Sequence, residues 1–88
     1  MKKMHVRKPA KSEIDGTDTW GTWSHAVATF TWSYDEKETC YILEGEANVT
    51  DSEGNNIQFT AGDWVIFEQG VTCTWNITKN IRKKYRFG

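Results

Sequence analysis

The sequence predicts an all-β domain, a small antiparallel barrel or sandwich with no significant helix. Three observations carry this. Short runs of alternating apolar and polar residues follow one another from Ala26 to Phe87. Turns bearing Gly45, Gly54, Gly62 and Gly70 separate them. No stretch sustains the apolar period of an amphipathic helix. A chain of 88 residues makes one domain, expected to bury about two-thirds of its unfolded surface. Five Trp, three Tyr and four Phe compensate for that small core, because each ring brings a large apolar area.

The elements follow in order. Residues 3–9 form a short first strand, and Lys11 to Gly21 is rich in Ser, Asp, Thr and Gly, which predicts a loop with at most one helical turn near Ser12 to Ile14. Trp20 and Trp23 flank Gly21 as plugs closing one end of a core. From Ala26 the alternation puts Ala26, Ala28, Phe30, Trp32 and Tyr34 on the inner face and the hydroxyl-bearing positions outside. Asp35 to Lys37 turn the chain into a strand from Glu38 to Glu44, broken at Gly45. Glu46 to Asp51 leads to a hairpin turn centred on Glu53 and Gly54, and Asn56 to Thr60 returns from it. Trp64 to Glu68, Val71 to Ile77 and Ile81 to Phe87 complete about eight strands.

Charge is sorted along the chain, although the net value is only -1. Lys2, Lys3, Arg7, Lys8 and Lys11 open it, Lys79, Arg82, Lys83, Lys84 and Arg86 close it, and every acid lies between. Were the first and last strands neighbours, these residues would line a basic edge. A solvated, lysine-guarded edge strand is the expectation, with no nucleic-acid partner. No apolar run reaches the ~18 residues of a membrane span and no apolar segment follows the first lysines, so no membrane partner and a cytoplasmic location are expected. Cys40 and Cys73 are too few for a disulfide framework.

Two spacings then stand out. Trp32-x-Tyr34-x3-Glu38-x6-Gly45 resembles the first motif of the cupins, G-x5-H-x-H-x3/4-E-x6-G, with Ala26 at the place of the opening glycine. Gly62, Glu68, Gly70, Cys73 and Ile77 occupy the places of the second, G-x5-P-x-G-x2-H-x3-N. Glu38-Thr39-Cys40-Tyr41, Gly62-Asp63, Cys73-x-Trp75 and Arg82-Lys83-Lys84-Tyr85 further resemble the subfamily typified by the (S)-ureidoglycine aminohydrolase cupin domain and ethanolamine-utilisation protein Q. The resemblance implies a double-stranded β-helix, or jelly roll, as one domain over 1–88: an N-terminal strand and loop (1–25), the two motifs (26–78) and a C-terminal strand (79–88).

The resemblance also implies a cavity lined by Trp32, Tyr34, Glu38 and Cys73, at places where metal-binding cupins carry three histidines and a glutamate. An indole cannot ligate, and a phenol must first lose a proton. No cofactor is therefore favoured; a divalent ion, if held, falls to Glu38, Cys73 and Tyr34. His5 and His25 lie outside both motifs and are expected on the surface or in loops. On the last strand, alternation turns Lys83 inward, where a lysine needs a partner, and Glu38 is the available carboxylate. Cys40 shares the inward parity of Glu38, and Cys73 that of Trp75.

The expected ligand site is thus Phe30, Trp32, Tyr34, Glu38, Cys40, Cys73, Trp75, Lys83 and Tyr85, with Tyr41 and Trp64 as further pocket aromatics. Glu38, Lys83 and Cys73 are the candidates for any catalytic role. The favoured function is binding of a small organic ligand, an anion among the options, with Lys83, Tyr34 and Glu38 fixing its polar groups. Two alternatives stand beside it: a metal-dependent hydrolase or lyase acting on a small nitrogenous substrate such as a ureide, and a non-catalytic homodimeric interaction domain.

Overall fold

The computed structural model describes residues 3–88; Lys2 of the basic opening lies outside them. Seven strands occur among the described residues: β1 (Met4–Arg7), β2 (Gly21–His25), β3 (Ala28–Ser33), β4 (Glu38–Asp51), β5 (Asn56–Thr60), β6 (Trp64–Phe67) and β7 (Thr72–Phe87). A helix α1 (Lys11–Asp15) runs into a 3-10 helix at Gly16–Thr19, more than the single turn expected. Glu13 reaches back to accept the Ala10 N–H (2.9 Å) and takes both guanidinium nitrogens of Arg7 (2.8 and 2.6 Å), which starts the helix despite an alanine at the capping place. No described helix is long and apolar enough to cross a membrane.

All pairings are antiparallel. The long strands β4 and β7 run together along their whole lengths; β6 and β5 pair the outer edge of β4, and β2 and β3 the outer edge of β7. β1 then adds to β6. The two breaks expected at Gly45 and at residues 78–80 are bends within continuous strands, which removes two of the eight strands expected, while Gly21–His25 adds one and brings the number to seven. Gly45 has φ +96° and lies against Asn80, whose carbonyl oxygen would overlap a Cβ built there. The register between β4 and β7 slips at this place. The slip shifts the inward phase of β4 from Glu38, Cys40 and Ile42 to Ala47 and Val49, so the sheet folds over itself and both halves keep an apolar inner face.

The halves meet around Trp75, 2% exposed, whose ring touches Phe59 of β5 (5.4 Å between centroids) and Phe67 of β6 (5.5 Å). Met4, Cys40, Ile42, Val49, Val65, Val71, Cys73, Ile77 and Ile81 fill the space around them.

Several expectations change. β1 lies beside β6 and β7 is central, so the basic ends of the chain do not share an edge. Residues 21–25 form a strand where mostly loop was expected, because they find an open edge on β7; β3 begins at Ala28, and Ala26 is exposed in the link. That link sets residues 26 and 27 against 78 to 80, with the Val27 N–H held by the Asn80 side chain (3.0 Å). Trp20 does not plug the core: it packs on Trp64 outside the sheet, in a stack where Arg86 lies over Trp20 and Arg7 over Trp64.

Candidate functional site

A cavity of about 360 Å³ opens between the β2–β3 edge and the inner face of β7. Four strands, and one residue just beyond the end of β3, supply its walls. β7 contributes Trp75, Lys83, Tyr85 and Phe87, all on the inward parity that alternation dictates. β3 adds Phe30 and Trp32, with Tyr34 just beyond its end. Tyr34 is fixed by a backbone pair: its N–H donates to the Val71 carbonyl and the Gly70 N–H donates to the Tyr34 carbonyl, both at 2.8 Å. Glu38 enters from the start of β4, and Trp23 and His25 from β2.

At its inner end the Lys83 ammonium sits 3.2 Å from each oxygen of Glu38 and 3.5 Å from the Cys40 sulfur. It lies 4.8 Å from the ring centres of both Trp23 and Trp75. Both side chains of the pair are 5% exposed. One carboxylate and two indole faces thus meet the charge of a lysine that water hardly reaches. Beside them Trp75 Nε1 donates to the Tyr34 hydroxyl (3.2 Å), and the Tyr34 ring stacks on Phe67 at 4.7 Å. Burial, reinforced by the negative charge of Glu38, pushes the Tyr34 phenol far above its ordinary range, so it remains a neutral O–H donor.

Cys40 and Cys73 are buried but form no part of the cavity wall. Cys40 lies beneath Lys83, and desolvation raises its thiol well above the ordinary value even against the pull of the ammonium. Cys73 donates to the Trp32 carbonyl (3.6 Å); burial first, then the charges of Asp51 and Glu38, raise it to about 11. Trp32 lines the cavity yet is 51% exposed, because β3 is an edge strand: it stands at the mouth with Phe87, 46% exposed. Tyr41 and Trp64 face the other side of the sheet, packed together in the Trp20 stack, since they alternate against inward Cys40 and Val65.

Trp23, His25 and Phe87 join the cavity without having been assigned to it. Phe87 shares the parity of Lys83, which was a readable signal. His25 donates from Nδ1 to the Ala26 carbonyl (2.7 Å), packs on Trp23 and Phe30 and is exposed at the rim. His5 is on the surface, paired with Glu68 at 2.8 Å.

The donor set does not fit a divalent ion. No cluster of three or more His, Cys, Asp or Glu that could hold one occurs among the described residues. Both oxygens of Glu38 face an ammonium, the Tyr34 oxygen accepts from an indole, and the Cys73 sulfur turns to a backbone carbonyl. A metal at Glu38 would lie next to another positive charge.

This geometry can be set beside known proteins. The EutQ-like cupin domain matches residues 12–85. The chain belongs to the EutQ-like cupin family. As a fold, the cupin superposes on a DUF861-family protein from Thermotoga maritima with a TM-score of 0.93, at 34% identity, covering 97% of this chain and 99% of that one. A putative ethanolamine utilization protein Q from Salmonella typhimurium gives a TM-score of 0.70 at 20% identity, covering 96% of this cupin and 68% of that chain. The EutQ protein of Clostridium difficile gives 0.70 at 15% identity, covering 96% and 66%, and these two likenesses speak for the fold alone. This cupin spans only 29% of a DUF861-family protein of unknown function from Pseudomonas syringae, matched at 25% identity with a TM-score of 0.70 over 77% of this chain. No curated protein is similar enough to match.

Proposed function

We propose that this cupin binds a small, neutral organic molecule in the cavity between β3 and β7. The observation that carries the reading is an aromatic-walled hollow of about 360 Å³ containing a buried ion pair that is already neutral in itself. Lys83 alone would attract an anion, and Glu38 alone a cation. Together they leave little net charge to attract either, while their hydrogen-bonding capacity still favours a ligand with polar groups. The exposed indole of Trp32 at the mouth offers a first stacking surface.

Isothermal titration against small carboxylates, ureides, sugars and aromatic heterocycles tests the proposal. Neutral compounds with one flat face are expected to give saturable heat that weakens in Trp32→Ala, and elemental analysis of untagged protein to give less than stoichiometric metal. Silence across the panel, or binding confined to protein loaded with a divalent ion, overturns it.

A further inference from the structure

Two groups in this cavity have hydrogen-bonding capacity left over. The Tyr34 hydroxyl accepts from Trp75 Nε1, but its own proton has no acceptor among the described residues, and the residue is 4% exposed. Glu38, also 4% exposed, receives two long bonds of 3.2 Å from Lys83, with the weakly donating Cys40 thiol beside it. A carboxylate offers about four lone-pair positions, so some remain open. Both residues line the cavity, and they lie near enough for the charge of Glu38 to act on the Tyr34 phenol. A buried donor and a buried acceptor in the same cavity, both incompletely used, define the edge of a complementary molecule.

From this, and resting on the reading that the cavity binds a neutral ligand, we infer that its occupant is a flat cyclic amide whose N–H donates to Glu38 while the adjacent carbonyl accepts from Tyr34. Flatness follows from the walls, which aromatic rings dominate: Trp23, Phe30, Trp32, Trp75, Tyr85 and Phe87 line the cavity, and the Trp32 indole is half exposed at its mouth. The adjacent donor and acceptor follow from the two open groups. A carbonyl alone would leave the lone pairs of Glu38 without a partner, and an N–H alone would leave the Tyr34 proton without one. Each omission leaves a buried polar group unpaired and costs roughly tenfold or more in affinity.

The test compares three two-ring compounds by calorimetry on the intact chain: carbostyril, which carries N–H beside C=O; N-methylcarbostyril, which keeps the carbonyl but not the donor; and quinoline, which has only an acceptor nitrogen. Carbostyril is expected to bind roughly tenfold or more tightly than either of the others. Tyr34→Phe is expected to lower the affinity for carbostyril and for N-methylcarbostyril alike, each roughly tenfold, because both present a carbonyl to the lost hydroxyl. Should that variant fail to fold, the comparison of ligands on the unsubstituted protein decides alone. Equal affinity for all three overturns the cyclic-amide assignment and leaves the cavity a general apolar binder. So does silence from all three while another small molecule binds. Silence from every compound, the broader panel included, overturns the binding proposal along with it.

Discussion

Replacing Lys83 with methionine tests the ion pair around which the cavity is built. Methionine keeps an unbranched stem, so packing changes little and the perturbation is the loss of charge. Lys83 is the cationic partner of Glu38 at 3.2 Å, with both side chains 5% exposed. Removing it strands a carboxylate in an aromatic interior, at a cost of roughly 3–5 kcal/mol. Two cation–π contacts at 4.8 Å disappear with it. A small domain is stable by only about 5–15 kcal/mol in total, so Lys83→Met should stand near the edge of folding. In urea unfolding its midpoint should fall sharply with little change in slope, and its Tm by on the order of 15 °C. Methionine at both Glu38 and Lys83 should recover most of the loss, because two apolar groups in place of a buried pair leave no orphaned charge. A Lys83→Met protein within about 1 kcal/mol of the parent, or a double variant no more stable than the single one, would refute the reasoning.

Gly45→Ala should destabilise by roughly 2 kcal/mol or more in urea unfolding, since φ is +96° and the new methyl meets the backbone of Asn80; an unchanged midpoint would count against the bend. Glu13 is held down to about 2 from 4.5, chiefly by its bonds from Arg7 and then by the Ala10 N–H. A folded-state value below the unfolded one stabilises above about pH 4.5, and that contribution is lost as pH falls toward 2; Glu13→Gln should therefore flatten the acid limb of the stability curve. Cys73 behaves oppositely: raised from 9 to about 11, it favours the folded state below pH 9 and loses that contribution through pH 11. Neither Cys73 nor Cys40 should react with iodoacetamide at pH 8 until the protein is unfolded; rapid native alkylation of either would contradict their burial.

The parts of the cavity legible in the sequence are those where alternation runs unbroken. Along β7 a single phase carries Cys73, Trp75, Ile77, Ile81, Lys83, Tyr85 and Phe87 inward, so one strand of sequence placed Lys83 against Glu38. The parts that were not legible lie across bulges. Trp23 and His25 face the cavity on odd positions, whereas Ala28, Phe30 and Trp32 lie inward on even ones. The phase changes at residues 26 and 27, where two residues oppose three, and counting back from Ala26 at period two sends Thr22 and Ser24 inward instead. Nor does alternation say how far along the barrel a residue lies, which separates Trp32 at the mouth from Cys73, its register partner, in the core.

The two cupin spacings and Lys83 also explain each other. The first motif retains its carboxylate, Glu38, while an indole and a phenol stand at its histidine places. An inward carboxylate still needs a positive charge, whatever surrounds it. Lys83 supplies one from the neighbouring strand β7, and the indoles of Trp23 and Trp75, which stand outside the motif's histidine places, form the cage in which an ammonium is tolerated. The exchange alters what the site can do. An ammonium balances charge but offers no open coordination position and cannot polarise a substrate as a metal does. On the binding reading proposed above, what remains available to a ligand is shape, stacking and the spare hydrogen bonds of Glu38 and Tyr34, and those would select by the pattern of donors and acceptors on its edge.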